Sequence, residues 1–194
     1  KIKEKKSINV LTIVNSKFSQ SGIGSTTLND GLTYSTVYGT RVQDEEISLN
    51  TPDVTRVYGV FESNNTSAPL FPRLALTNIN SPNAKTGDLL IGEKFRGKDS
   101  NAKGIYVSKH DDTTINFISL NENTFQDNEE LIFEKSSITS KLSSKTIGSN
   151  NISNEFSYNN GQRSTIYDYS RIKRKSNFKE PSKQLTVVFE SAYF

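Results

Sequence analysis

The chain has 194 residues, with 24 Lys and Arg against 21 Asp and Glu for a formal net charge of +3, and it contains no cysteine. Without cysteine it carries no disulfide framework, thiolate nucleophile or zinc ribbon, and no stretch approaches the roughly 18 consecutive apolar residues of a membrane span. The positive charge is spread along the chain rather than gathered on one face, which argues against nucleic-acid binding, where phosphate neutralisation sets affinity.

In chain order, the basic opening "KIKEKKSINVL" is followed by no signal-peptide apolar region and has no initiator Met, as expected of a part of a longer protein. "INVLTIV" (Ile8 to Val14) is apolar on both alternating sets, which predicts a strand covered on two faces. "GIGSTTLNDG" reads as a loop broken by Gly22, Gly24 and Gly31. "TYSTVYG", "EISLN" and "VTRVYGVFES" are rich in β-branched and aromatic residues and predict further strands, with a turn at Thr51 to Asp53. Pro69 and Pro72 mark "LFPRLAL" as an edge strand or an extended connector.

From Ser81-Pro82 the runs shorten, and turns separate "DLLIGE", "GIYVSK", "TTINFISL" and "ELIFE", the texture of a small barrel or sandwich. "GEKFRGKDSNAKG" and "NEELIFEKSSITSK" also align at an offset of about 36 residues, placing Glu93 on Glu129, Phe95 on Leu131 and Ser100 on Ser136. Two copies of a strand–turn–strand unit, or chance matching of short strands, account for this echo.

"SSKTIGSNNISN" (Ser143 to Asn154) reads as a linker. Ser164 is placed to cap a short helix with Ile166, Tyr169 and Ile172 on one face, Asp168 in its first turn and Arg171, Lys173 and Arg174 in its last. "QLTVVFESAYF" returns the chain to a sheet. The expected fold is mainly β in three parts: an N-terminal β segment over 1–76, a small central β-barrel (SH3-like or similar) over 77–145, and a linker, short helix and terminal strand over 146–194.

No catalytic constellation emerges. The single histidine, His110, lies in the hairpin-tip sequence "SKHDDTT", and no G-x-S-x-G elbow supports a hydrolase. The acidic clusters "QDEE" (Gln43 to Glu46) and "NEE" (Asn128 to Glu130) put neighbouring carboxylates on opposite strand faces, so they read as turn-forming and solvated charges. Asp111-Asp112 lacks an EF-hand loop, and "GIGST" lacks the Lys of a phosphate loop. The run "RIKRK" beside Tyr167 and Tyr169 would suit base stacking next to a phosphate patch, or simply the end of a helix facing solvent.

The segment "NNGQRSTIYDYSRIKRKSN…P…LTVVFESAYF" resembles a pattern in large virion structural proteins of T-even-like contractile-tailed phages of marine bacteria. Asn160, Gly161, Gln162, Arg163, Tyr167, Asp168, Arg171, Arg174 and Lys175 match its "NGQR…YYD…R…RK" core, and "GTRVQDEEISLNTPDVTRVYGVFES" upstream is also similar. The terminal strand departs from the pattern in reading "VVFES" where an Asp is usual. The resemblance implies a non-enzymatic tail or baseplate component of the virion, assembled in the host cytoplasm as a homo- or hetero-oligomer with other virion structural proteins. No cofactor, metal, membrane or specific nucleic acid is expected. Arg163, Tyr167, Asp168, Tyr169 and Arg171 are the candidate subunit contacts, with Tyr167, Tyr169 and Ile172 expected to be buried and Arg163 and Arg171 fixed by carboxylates or carbonyls. The alternative is a receptor-binding adhesin contacting host-surface glycan, against which the absence of Trp counts.

Overall fold

The computed structural model describes residues 5–13, 38–39, 41–79, 88–163 and 166–193. The "GIGST" loop and the Ser81-Pro82 boundary lie outside them. The chain is mainly β, and the described residues contain no α-helix. Two compact units divide it: one joins 1–69 to 150–194, the other is 70–149. The first and third expected segments are therefore one unit, and the second unit is inserted into it.

The first unit contains β1 (Lys5–Ile13), β2 (Tyr38–Gly39), β3 (Glu46–Ser48), β4 (Val54–Glu62), β11 (Asn150–Asn151), β12 (Phe156–Asn159), β13 (Gln162–Arg163), β14 (Ile166–Tyr167), β15 (Arg171–Arg174) and β16 (Leu185–Tyr193). One sheet has the order β1-β16-β4-β11 and another β12-β15-β3-β2. Both contribute to one core, including Val60, Val187 and Phe189 from the first and Ile47, Phe156 and Ile172 from the second. Two sequence expectations change here. Val10 on β1 is 47% exposed, so that strand is not covered on both faces. Asn150 and Asn151 pair with Glu62 and Phe61, so the expected linker contributes a strand that closes the sheet where the insertion returns.

The second unit holds β5 (Arg73–Thr77), β6 (Lys94–Gly97), β7 (Lys103–Lys109), β8 (Thr114–Ser119), β9 (Glu130–Phe133) and β10 (Thr139–Thr146). Their ladders run β10-β5-β8-β7-β6-β9, and β9 pairs back to β10, closing the ring. β5 is paired on both sides, by β8 and β10, and is therefore an interior strand rather than an edge. Pro72 is accommodated because it precedes the strand. His110 sits exposed at the β7–β8 turn, its Nε2 accepting from Arg73 Nη1 at 3.1 Å.

The 36-residue echo is a structural repeat. Phe95 faces Gly104 across β6–β7 as Leu131 faces Ser140 across β9–β10. The β7–β8 ladder slips between Tyr106 and Ser108, and the β10–β5 ladder slips between the equivalent Leu142 and Ser144. β5 thus completes the second copy from its N-terminal side, in the place β8 takes in the first. Left-handed φ values recur at Gly92 and Asn128, and at Asn101 and Ser137.

The chemistry of the repeat resides in two buried carboxylates. Glu93 (0% exposed) accepts from Leu90 N, Lys135 N, Ser136 N and Ser136 Oγ at 2.8–3.1 Å. Glu129 (3%) accepts from Gln126 N, Asp99 N, Ser100 N and Ser100 Oγ at 2.6–3.2 Å. Each Glu therefore clasps the turn of the other copy. Burial pushes the Glu129 carboxyl up, but the hydrogen bonds from Ser100, Gln126 and Asp99 outweigh it and hold the group below the usual carboxylate range. Core positions correspond in the same way, with Leu89 matching Phe125, Ala102 matching Ile138 and Tyr106 matching Leu142. Phe133 has Gly97 as its counterpart, and that glycine has no room for a Cβ, which would lie 2.4 Å from Glu129 Oε2.

Glu93→Gln and Glu129→Gln each turn an amide NH₂ toward backbone donors. Each should cost about 2–4 kcal/mol in denaturant unfolding, with the two costs within about 1 kcal/mol of each other. A negligible cost for either would contradict reciprocal clasping.

Candidate functional site: the Asn159–Arg174 excursion and its cleft

β12 and β15 pair antiparallel, Asn159 opposite Arg171 and Tyr158 opposite Ile172. The chain between them forms a tight excursion whose inner ladder is β13–β14. This corrects the expected helix: residues 166–167 and 171–174 are strands, while Ser164 and Thr165 lie outside the described residues. The physical reason is β3, which pairs with β15 so that Lys173 stands opposite Glu46 and Ile172 opposite Ile47. Strand alternation buries Ile172 at 1% exposure and turns Arg171 and Lys173 toward the acidic side chains.

Arg171, only 8% exposed, pairs with Asp168 and with Glu46 at 3.4 Å. Lys173 reaches Glu46 at 3.1 Å and Glu45 at 3.2 Å. Burial pushes the Glu46 carboxyl up, yet hydrogen bonds from Lys173 and Arg171 prevail and hold it below the usual range. Hydrogen bonds from Lys173 to Glu46 and Glu45 raise the lysine above its usual range. Glu45 and Glu46 of "QDEE" are thus partners of Arg171 and Lys173 in "RIKRK". Asp44, fully buried, is likewise held by Arg41, with Nη2 at 2.7 Å. Much of the apparent basic patch is neutralised within the fold.

The excursion turns at Gly161, whose φ of +75° suits glycine. A Cβ there would lie 2.4 Å from Tyr169 O and 2.7 Å from Asp168 O. Two successive Asx turns lead through it: Asn159 Oδ1 accepts from Gly161 N and Asn160 Oδ1 from Gln162 N. Ser170, fully buried, ties the segments together. Its Oγ donates to Asn160 O (3.0 Å) and accepts from Val54 N (3.3 Å), its N donates to Thr51 O, and its O accepts from Leu49 N. Tyr158 donates its hydroxyl to Val54 O. Burial raises the Tyr158 phenol, and the nearby Asp53 charge adds to the rise, against a lowering contribution from Ser170.

These contacts frame an open cleft of about 380 Å³ lined by Asp53, Val54, Thr55, Tyr158, Asn160 and Gln162. Asp53 adopts φ +53°, its carbonyl accepts from Ala192 N at 3.0 Å, and its Oδ1 accepts from Gln162 Nε2 at 2.6 Å.

Of the candidate contacts, Asp168 and Arg171 are brought together as an ion pair, and the expectation that carboxylates fix Arg171 matches its geometry. Tyr169 is 51% exposed, which corrects its expected burial: in an extended segment it lies between Asp168 and the buried Ser170, not on the Ile172 side of a helix. Arg163 and Tyr167 have backbone places in β13 and β14, and their side chains lie outside the described residues. Sequence reasoning missed Ser170, Asp53 and Glu46. Most of their partners lie over 100 residues away in the chain, where no local pattern reports them. Among the described residues, no three metal-ligating side chains converge.

Because Glu46 is held below its usual range, its pairing contributes stability above the unfolded carboxylate pKa and loses it as pH falls through the lowered folded value. Glu46→Gln should remove that acid-side loss and cost about 1–3 kcal/mol at neutral pH, read by denaturant midpoints across the acid range. An unchanged acid profile would show that the pair does not couple to folding.

The chain matches no protein-family model, and comparison with curated proteins and with solved structures finds no match.

Proposed function

We propose that the chain is a non-enzymatic structural module of a phage tail or baseplate, holding neighbouring virion chains together. The observation that carries this reading is Tyr169, half exposed beside residues that are held in place. The residue after it is fully buried, the one after that is anchored by two carboxylates, and its own N–H donates to Asp168 Oδ1 at 2.7 Å. An exposed aromatic on a pre-organised backbone offers large contact area with little ordering cost. The likeness to tail proteins falls on this same segment, where Gly161, Asp168 and Arg171 serve as framework. In this reading the unit 70–149 is a small β-barrel module of the tail protein, SH3-like in size, carried as an insertion.

The test is Tyr169→Ala in the assembled particle. The chain itself should keep its stability to about 0.5 kcal/mol, since the ring is exposed. Incorporation into sedimenting tails or baseplates should fall as for loss of an interface anchor, about 2 kcal/mol or more. Wild-type incorporation would overturn the proposal.

A further inference from the structure

We propose that the cleft at Asp53 receives a basic side chain, lysine or arginine, from a neighbouring protein chain. The inference rests on the assembly reading and specifies the chemistry of one contact. Its basis is an imbalance of charge. In the same unit Asp44 is answered by Arg41, Glu46 by Arg171 and Lys173, and Asp168 by Arg171. Asp53 differs. Half-buried in the cleft, its carboxylate takes one hydrogen bond among the described residues, from the neutral Gln162 amide, and no ion pair. Among the described residues no cation lines the cleft. Arg171, Lys173 and Arg56 are committed elsewhere, the first two on their own carboxylates and Arg56 over the Tyr58 ring at 5.3 Å.

The remaining surfaces of the cleft suit the same occupant. Tyr158 spends its hydroxyl on Val54 O, leaving aromatic surface, which attracts cations. Thr55 spends its hydroxyl on Glu190 Oε1 at 2.9 Å. The Asp53 carboxylate keeps acceptor capacity beyond its bond from Gln162, and an ammonium with three donors or a guanidinium with five complements it. A phosphate or carboxylate ligand would face Asp53 with no cation among the described lining residues to offset the repulsion.

Asp53 is also pre-organised. A non-glycine residue at positive φ persists where its surroundings over-determine it. Here Ala192 N holds the carbonyl and Gln162 the carboxylate, while Gly161 fixes the turn that delivers Gln162. A partner's side chain would meet a charge already in place, which lowers the ordering cost of the contact.

The experiment is an amide NMR titration of the full chain with N-acetyl-lysine amide and N-acetyl-arginine amide. Uncharged N-acetyl-norleucine amide and methyl glucoside serve as controls. Saturable shifts confined to Asp53, Thr55, Asn160 and Gln162 are expected with at least one cationic probe and with neither control. Asp53→Asn keeps a residue that tolerates positive φ and removes only the charge, and it should weaken binding roughly fivefold or more. If that variant disturbs the spectrum beyond the cleft, added salt provides a second measurement and should weaken the cationic probes alone. Absence of cleft shifts with both cations would overturn the proposal, as would shifts insensitive to both Asp53→Asn and salt. Matching shifts with methyl glucoside would replace it with a polyhydroxyl site. The titration reads the cleft in isolation. If it fails while Tyr169→Ala still blocks assembly, only the cleft inference falls; if cations bind while Tyr169→Ala assembles normally, only the assembly reading falls.

Discussion

A carboxylate taken out of water must be answered by donors, and much of this chain's organisation follows from how that is done. In the inserted unit the donors are backbone amides: Glu93 and Glu129 each gather three N–H groups and a serine hydroxyl. In the other unit they are guanidinium and ammonium groups, which join β3 to β15 through Glu46. The two solutions have different consequences. Amide clasps fix backbone shape locally and repeat with the chain. Ion pairs join distant segments, and removing one partner leaves the other stranded in a poorly solvated place.

The strand texture of the chain was legible because its cause is local. "VTRVYGVFES" and "TTINFISL" carry β-branched and aromatic residues between turns, and strands occur at both. The 36-residue echo was legible for a related reason: a clasp needs Glu, a small hydroxyl residue and a turn at fixed separations. The C-terminal segment misled because Ile166, Tyr169 and Ile172 recur every three residues, as on a helix. What decides otherwise is Ile47 and Glu46, about 125 residues upstream, and no local pattern reports them. The division into units was hidden likewise. β4 pairs with β16 and β11, so the ends of the chain close one sheet across the insertion.

At the candidate site residue type announced only part of the framework. Asp168 and Arg171 stood out by type, and their pairing is the anchor of the excursion. Ser170 looked ordinary, yet its hydroxyl and backbone hold Asn160, Val54, Thr51 and Leu49 together. Asp53 read as a turn former and is one, but the turn also presents its carboxylate to a cleft whose opposite wall comes from the "NNGQ" sequence. Framework and exposed positions are therefore interleaved along one short segment: Gly161, Ser170 and Arg171 hold the backbone, while Tyr169, Gln162 and Asn160 are exposed.

The account depends most on buried carboxylates acting as clasps, and native-state hydrogen exchange reads this directly. The amides of Leu90, Asp99, Ser100, Gln126, Lys135 and Ser136 lie in turns and loops where exchange is ordinarily fast, yet each donates to Glu93 or Glu129. The account predicts that they exchange only with cooperative opening of the 70–149 unit, alongside the amides of β6 and β9, and at matched rates in the two copies. Exchange at the rate of the exposed turn amides around His110 would contradict it.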